Sequence, residues 1–219
     1  MTGYAIHRCV TPAASLALVD LDQVKAELKI SPADTSKDAQ IQANIEQISQ
    51  AINTYCDRIF VRQGYRDQIR STYSTGLCCG TPLVLRQRPI AVDDGVPVVV
   101  ITEGNIVLMP DQWEVDEQMG RIYRLDAGGI GAWGGNPIVV DYDAGYDAGK
   151  IPADLQAAAL KSVTARYSNV GRDPMLRSQT IPDVVAESYW SSETSGGLSS
   201  TAIPAEAYAV LEAYVLRFM

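Results

Sequence analysis

IVVDYDAGYDAGKIPADLQAAALKSVTARYSNVGR, residues 138–172, decides how the rest of the chain is read. Ile138, Val139, Val140 and Tyr142 form a β-branched and aromatic run of the kind that suits a pleated sheet, and Asp143, Gly145, Asp147 and Gly149 close it as turn formers. A strand therefore ends in a glycine-rich corner. The helix that follows has clear signals: Pro152 fits the first helical position, where its missing N–H costs nothing, and Asp154 sets a negative charge in the first turn. Leu155, Ala159, Val163 and Tyr167 recur every four residues on one face, and Gly171 is a natural residue to stop the helix in left-handed conformation.

Upstream, Asp20 precedes Leu21, Val24 and Leu28 with Gln23 three positions on, a capping-box spacing, which predicts a short helix over residues 21–29. A second helix is predicted over 37–58. Ile41, Ile45, Ile48, Ile52 and Tyr55 advance by alternating steps of four and three, keeping one apolar side, which reads as core. From about 60 to 142 the pattern turns extended. Tyr65, Ile69 and Tyr73 mark one strand; Leu83, Leu85 and Ile90 bracket the next; residues 96–102 and 105–109 follow, with Asp94-Gly95 and Glu103-Gly104 as turns. Trp113 to Asp116 and Arg121 to Leu125 alternate around Met119-Gly120 as a hairpin. The expectation is an antiparallel meander or small barrel-like sheet of about five to seven strands, closed by the strand at 138–142.

Ordered along the chain, Val140, Tyr142, Ala144, Gly145 and Tyr146, then Ile151, Pro152, Ala153, Asp154, Leu155, Gln156 and Ala157, then Tyr167 and Arg172, resemble the phage head-to-tail connector (adaptor) family. The form resembled is the longer α+β one related to the siphophage connector. Leu21, Val24, Lys25 and Leu28 fill that family's opening-helix word, Tyr55 and Arg58 its aromatic-x-x-Arg helix ending, and Leu83, Leu85, Arg88, Pro89 and Ile90 its Leu-x-Leu and Arg-Pro strand. The resemblance covers most of residues 10–172 and is carried by the order of these words.

The fold class expected is α+β: an N-terminal helical pair, a central antiparallel β region, a third helix, a flexible arm and a C-terminal helix. Residues 1–19 read as an extended leader, 20–172 as the connector domain with its third helix over 152–170, and 173–219 as the arm and terminal helix. Asp173-Pro174 and Ile181-Pro182 break any helix, and the Gly/Ser-rich stretch around Tyr189 and Trp190 reads as a linker. Pro204 then opens a helix with a wide apolar face of Ala207, Tyr208, Leu211, Tyr214, Val215 and Phe218. Two uses stay open for it: folding back on its own chain, or docking on a neighbour, the use preferred here. Tyr189, Trp190, Tyr208, Leu211, Tyr214, Val215 and Phe218 are accordingly the candidate partner-binding residues, since aromatic anchors dominate such contacts.

A chain of 219 residues with 47% hydrophobic residues buries a real core. No apolar run is long enough to cross a bilayer, and the N-terminus lacks the apolar stretch of a signal peptide, so an intracellular product in a reducing compartment is expected. Net charge −8 and a pI near 4.6 argue against a surface that grips phosphates, while carboxylates lining a conduit would let DNA slide through. Cys9, Cys56, Cys78 and Cys79 have no metal-ligand spacing, and His7 is the one histidine, so free thiols and no His-based catalytic or metal centre are expected.

Three constellations invite chemistry. Gly129, Gly131 and Gly134 satisfy G-x-G-x-x-G, but Asn136-Pro137 and a strand follow where a phosphate-binding helix would have to start, so they read as a hairpin loop. Asp141, Asp143 and Asp147 echo an acidic calcium loop, whose sixth and twelfth positions here hold Tyr146 and Pro152. Asp93, Asp94, Glu114, Asp116 and Glu117 read as solvated carboxylates. No enzyme, cofactor or metal is expected.

The resemblance implies a structural virion protein of the neck, assembled in the host cytoplasm. Its partners would be copies of itself in a ring, typically twelvefold, the portal protein, a tail-side neck or tail-completion protein, and DNA as passing cargo, with no membrane. The alternatives are a DNA-packaging or DNA-binding factor, hinted at by Arg166, Arg172 and Arg177, and, further off, a metal-dependent enzyme using the aspartates.

Overall fold

The computed structural model describes residues 4–70, 81–126, 129–168, 178–181, 185–188 and 203–216. They fall into two units threaded alternately by the chain: Met1–Leu16 with Arg58–Ile151, and Ala17–Asp57 with Pro152–Met219. The fold is α+β, as expected, with antiparallel sheets in the first unit and four α-helices in the second.

The strand unit begins at the N-terminus. Residues read as an extended leader contain β1 (Tyr4–Thr11), which pairs antiparallel with β2 (Gln63–Arg70). After β3 (Leu83–Val84), β4 (Val92–Asp93) and β5 (Val96–Pro97) form a two-residue hairpin at Asp94-Gly95, both with positive φ, as an Asp-Gly turn favours. Then come β6 (Val99–Glu103), β7 (Ile106–Val107), β8 (Trp113–Asp116), β9 (Arg121–Asp126), β10 (Gly129–Ile130) and β11 (Ile138–Ala144). The hairpin expected around Met119-Gly120 is present as β8 and β9.

One expectation is corrected. The strand at 138–144 does not close a meander; β11 is the middle of a five-stranded sheet ordered β1-β2-β11-β6-β7, and a second sheet gathers β3, β8 and β10 around β9. The reason is visible in β11 itself. Ile138, Val140, Tyr142 and Ala144 are buried in alternation, and strands flank it on both sides, Tyr142 lying between Tyr65 and Val99. Leu83, Trp113 and Ile122 from the second sheet join Tyr65, Ile101 and Val140 in one buried cluster.

Gly145 ends β11 with φ of +108°, and its N–H donates to the Pro89 carbonyl at 2.8 Å. A Cβ there would lie 2.7 Å from the backbone carbonyl of Val61 and 2.8 Å from the Arg62 nitrogen. Tyr146 N–H donates to Phe60 O at 2.7 Å, and Arg62 N–H to Tyr146 O at 3.0 Å, so the Ala-Gly-Tyr corner is stitched to residues 60–62. Only glycine meets both demands.

In the helical unit the Asp20 N–H donates to Gln23 Oε1 at 3.1 Å ahead of α1 (Leu21–Glu27). α2 (Asp38–Cys56) buries Ile41, Ile45, Ile48 and Ile52 completely, and Asp57 closes it in left-handed conformation. The predicted stripe errs at its end, where Tyr55 is 37% exposed and Cys56 takes the buried place. Lys25 is buried and pairs with Asp38 Oδ1 at 2.5 Å. α3 (Ala153–Ser168) buries Leu155, Ala159 and Val163. β12 (Ser178–Ile181) and β13 (Val185–Ser188) pair antiparallel, and α4 (Ala205–Leu211) completes the unit.

α4 folds back on its own unit, the use not preferred from sequence. Its Leu211 is fully buried, and beyond it the Leu216 N–H donates to Cys56 O at 3.0 Å. Tyr214 donates its hydroxyl to Asp154 at 2.7 Å, and Lys161 pairs with Glu206 at 3.3 Å. Among the described residues no helix is long and apolar enough to cross a membrane.

Gly145→Ala is expected to cost about 2–3 kcal/mol through forced backbone geometry, measured by urea denaturation of the full chain. Leu211→Ala is expected to cost about 3 kcal/mol and to raise amide exchange across α4 and its Cys56 contact. Unchanged exchange would show that α4 does not depend on this anchor.

Candidate functional site

The acidic stretch around Gly145 is organised by Arg62, on the segment leading into β2. Its guanidinium grips Asp93 with two bonds of 2.7 Å and reaches Asp143 at 2.9 and 3.1 Å and Asp147 at 3.1 Å. The cation at the loop that echoes a calcium site is thus an arginine. Asp141, two residues before Asp143 on the same face of β11, is held by Arg66 at 2.6 and 3.0 Å. Arg62 has its pKa raised, first by the Asp93 bonds, and Asp93 is in turn held below the usual carboxylate range, first by Arg62. Asp147 is lowered too, by Lys150 first and then Arg62. A carboxylate held this way is a poor general acid or base near neutrality.

The glycine loop does cradle an anion, and that anion is internal. The N–H groups of Gly134 and Gly135 both donate to Glu103 Oε1, the second at 3.0 Å, while Arg124 meets Oε2 at 3.3 Å. A Cβ on Gly135 would fall 2.5 Å from Glu103 Cγ, so this glycine serves close approach. Trp133 beside it is buried in the core.

His7, placed by its sequence in the leader, sits on β1 with Nδ1 2.5 Å from Asp67 Oδ1 and its ring stacked on Tyr65 at 5.0 Å. Asp67 is buried on β2, and its Oδ2 accepts the Tyr142 hydroxyl at 3.0 Å and the Arg86 N–H at 3.1 Å. Burial first, and then the Asp67 charge, push the Tyr142 phenol upward, so it remains a donor. The cluster is a hydrogen-bonded hub that ties β1, β2 and β11 together. Arg166 spends its guanidinium on Asn44 and Gln47, the first at 3.1 Å; Arg172 and Arg177 lie outside the described residues.

The candidate partner-binding residues divide into three groups. Tyr189, Trp190 and Phe218 lie outside the described residues. Leu211 is buried within the helical unit. Tyr208, Tyr214 and Val215 are half-buried; the Tyr208 ring meets Tyr55 edge-on at 5.0 Å, and Tyr214 is engaged by Asp154. The described aliphatic surface lies elsewhere, in the strand unit. Ile106, Val107 and Met109 stand 69, 59 and 63% exposed around β7, and Val10 is 56% exposed on β1. Sequence reasoning read residues 105–109 as a strand and missed this patch. The available signal was the unbroken run Ile106-Val107-Leu108-Met109 between Gly104 and Pro110: neighbours in a strand face opposite ways, so a strand with one covered face leaves part of such a run exposed.

No protein-family model matches the chain, and no curated protein matches it. Solved structures do share its fold. A chain of the neck of an empty gene transfer agent (GTA) particle computed with C6 symmetry superposes with a TM-score of 0.56 at 16% identity, over 98% of this chain and 97% of that one. A chain of the virion of the native gene transfer agent particle gives 0.55 at 17%, with the same coverage of both chains. One from the neck of the native particle computed with C12 symmetry gives 0.52 at 18%, again over 98% and 97%. At such identities the likeness is one of fold, and it spans both units.

The Arg62 cluster predicts a pH signature. Asp93 and Asp147 have folded pKa values depressed below the ordinary value of about 4, so the stability they add is present above that value and is lost as pH falls through their folded values. Arg62→Met is expected to lower the melting temperature at neutral pH and to show a shrinking deficit below about pH 4. A deficit independent of pH would mean that Arg62 acts by packing alone.

Proposed function

We propose that this chain is a structural protein of a phage-like particle neck, a head-to-tail connector that assembles as a ring between portal and tail and surrounds the DNA channel. The observation that carries this reading is the full-length fold likeness to chains of gene transfer agent neck and virion structures, which agrees with the ordered connector-like words of the sequence. The necks named in two of those structures were computed with sixfold and twelvefold symmetry, which supports a ring of copies.

The chemistry of the surface fits such a role. The aspartates that would have to act in a hydrolase are committed to Arg62 and Arg66, and the glycine-loop amides to Glu103. Function then rests on association: aliphatic residues exposed on the strand unit supply contact area, and a net charge of −8 keeps a DNA-surrounding ring from adhering to phosphates. The portal and a tail-side neck protein are the partners this reading implies, with DNA as cargo.

The test is native mass and negative-stain imaging of the purified full chain, alone and mixed with the portal. Closed rings of six or twelve copies in either condition are expected, and particles lacking the gene should accumulate heads and tails that do not join. A chain that stays monomeric in both conditions, or particles that join normally without it, would overturn the reading.

A further inference from the structure

The five-stranded sheet has two edges that run the same way. Every neighbouring pair along β1-β2-β11-β6-β7 is antiparallel, and the number of strands is odd, so β1 and β7 share one direction. β1 is eight residues long and pairs only with β2 among the described residues. An edge of that length leaves a row of backbone donors and acceptors open, which monomeric proteins ordinarily cover, shorten or fill with charge.

The two edges are also complementary. Val10 on β1 is exposed, as are Ile106, Val107 and Met109 around β7. Residues 4–11 carry Arg8 and no carboxylate; residues 106–112 carry Asp111 and no lysine or arginine, and both charged residues are exposed. Aliphatic contact and opposite charge favour β7 meeting β1. A twofold contact of β1 with β1 would instead bring a second copy of Arg8 to the same edge. Rotation about a ring axis preserves strand direction along that axis, so the two edges would meet in parallel in a heterologous contact.

We infer that copies of this chain join through their sheets, β7 of one adding in parallel to the free edge of β1 in the next, so that the ring carries a continuous band of strands. The inference rests on the ring reading above and names the surface that makes it. Backbone hydrogen bonds supply the contact and the flanking side chains set the partner, as in other strand additions.

The test uses native mass of the full chain over a concentration series, for wild type, Val107→Lys, Arg8→Glu and an equimolar mixture of the two variants. Both sites are exposed, so unchanged circular dichroism and melting curves verify that the variants fold. Wild type is expected to form closed oligomers, and each variant alone to remain monomeric at tenfold higher concentration. The mixture should regain association, because the Arg8→Glu copy brings an intact β7 edge and the Val107→Lys copy an intact β1 edge. Variants that close rings like wild type would overturn the seam while leaving the ring reading standing. Dimers of Val107→Lys alone would replace the seam by a twofold β1 contact. Wild type that never associates, with portal or without it, would remove the ring and the seam with it.

Discussion

A buried carboxylate holds the strand unit together. Asp67 sits on β2 among apolar side chains, where an uncompensated charge would cost several kcal/mol, and donors from separate parts of the chain converge on it: His7 from β1, Tyr142 from β11 and the Arg86 backbone from the segment after β3. The His7 and Tyr142 donors come from strands that also pair with β2 through their backbones. The hydrogen bonds fix which face of β1 turns inward, since shifting the strand by one residue would carry His7 to the other side of the sheet. The register of the N-terminal strand is thereby written into a polar group in the core.

The same economy recurs in the other acidic groups. Arg62 draws together carboxylates from the β4 strand, the end of β11 and the corner after it, and Glu103 takes the amides of the glycine loop. An acidic chain with motif-like clusters therefore presents little unspent chemistry among its described residues. What it presents in quantity is surface: aliphatic side chains at two sheet edges, which fits a protein that acts by being fitted against others.

Much of the fold was legible because its signals are local. The isoleucine stripe of α2, the α3 helix (Ala153–Ser168), the Asp-Gly turn and the β8–β9 hairpin each depend on residues a few positions apart. β1 was not, because its partner residues, such as Arg70 for Tyr4, come from a distant segment and no local pattern distinguishes a paired strand from an extended leader. The central place of β11 was hidden for the same reason, although its apolar run, denser than the alternation of a surface strand, was a hint. The use of the terminal helix was not decidable from its pattern. An amphipathic α4 has an apolar face whether it covers its own unit or another chain's, and only the position of Leu211 separates the two.

The path of the chain has a genetic consequence. It passes from one unit to the other after Leu16, after Asp57 and after Ile151, so neither unit corresponds to a contiguous length of gene. A single recombination event between related genomes cannot exchange one unit and leave the other intact; at any breakpoint it would splice two lineages inside at least one hydrophobic core. Inheritance of the two units as a block follows, and variation tolerated between relatives should concentrate in side chains instead of in shuffled modules.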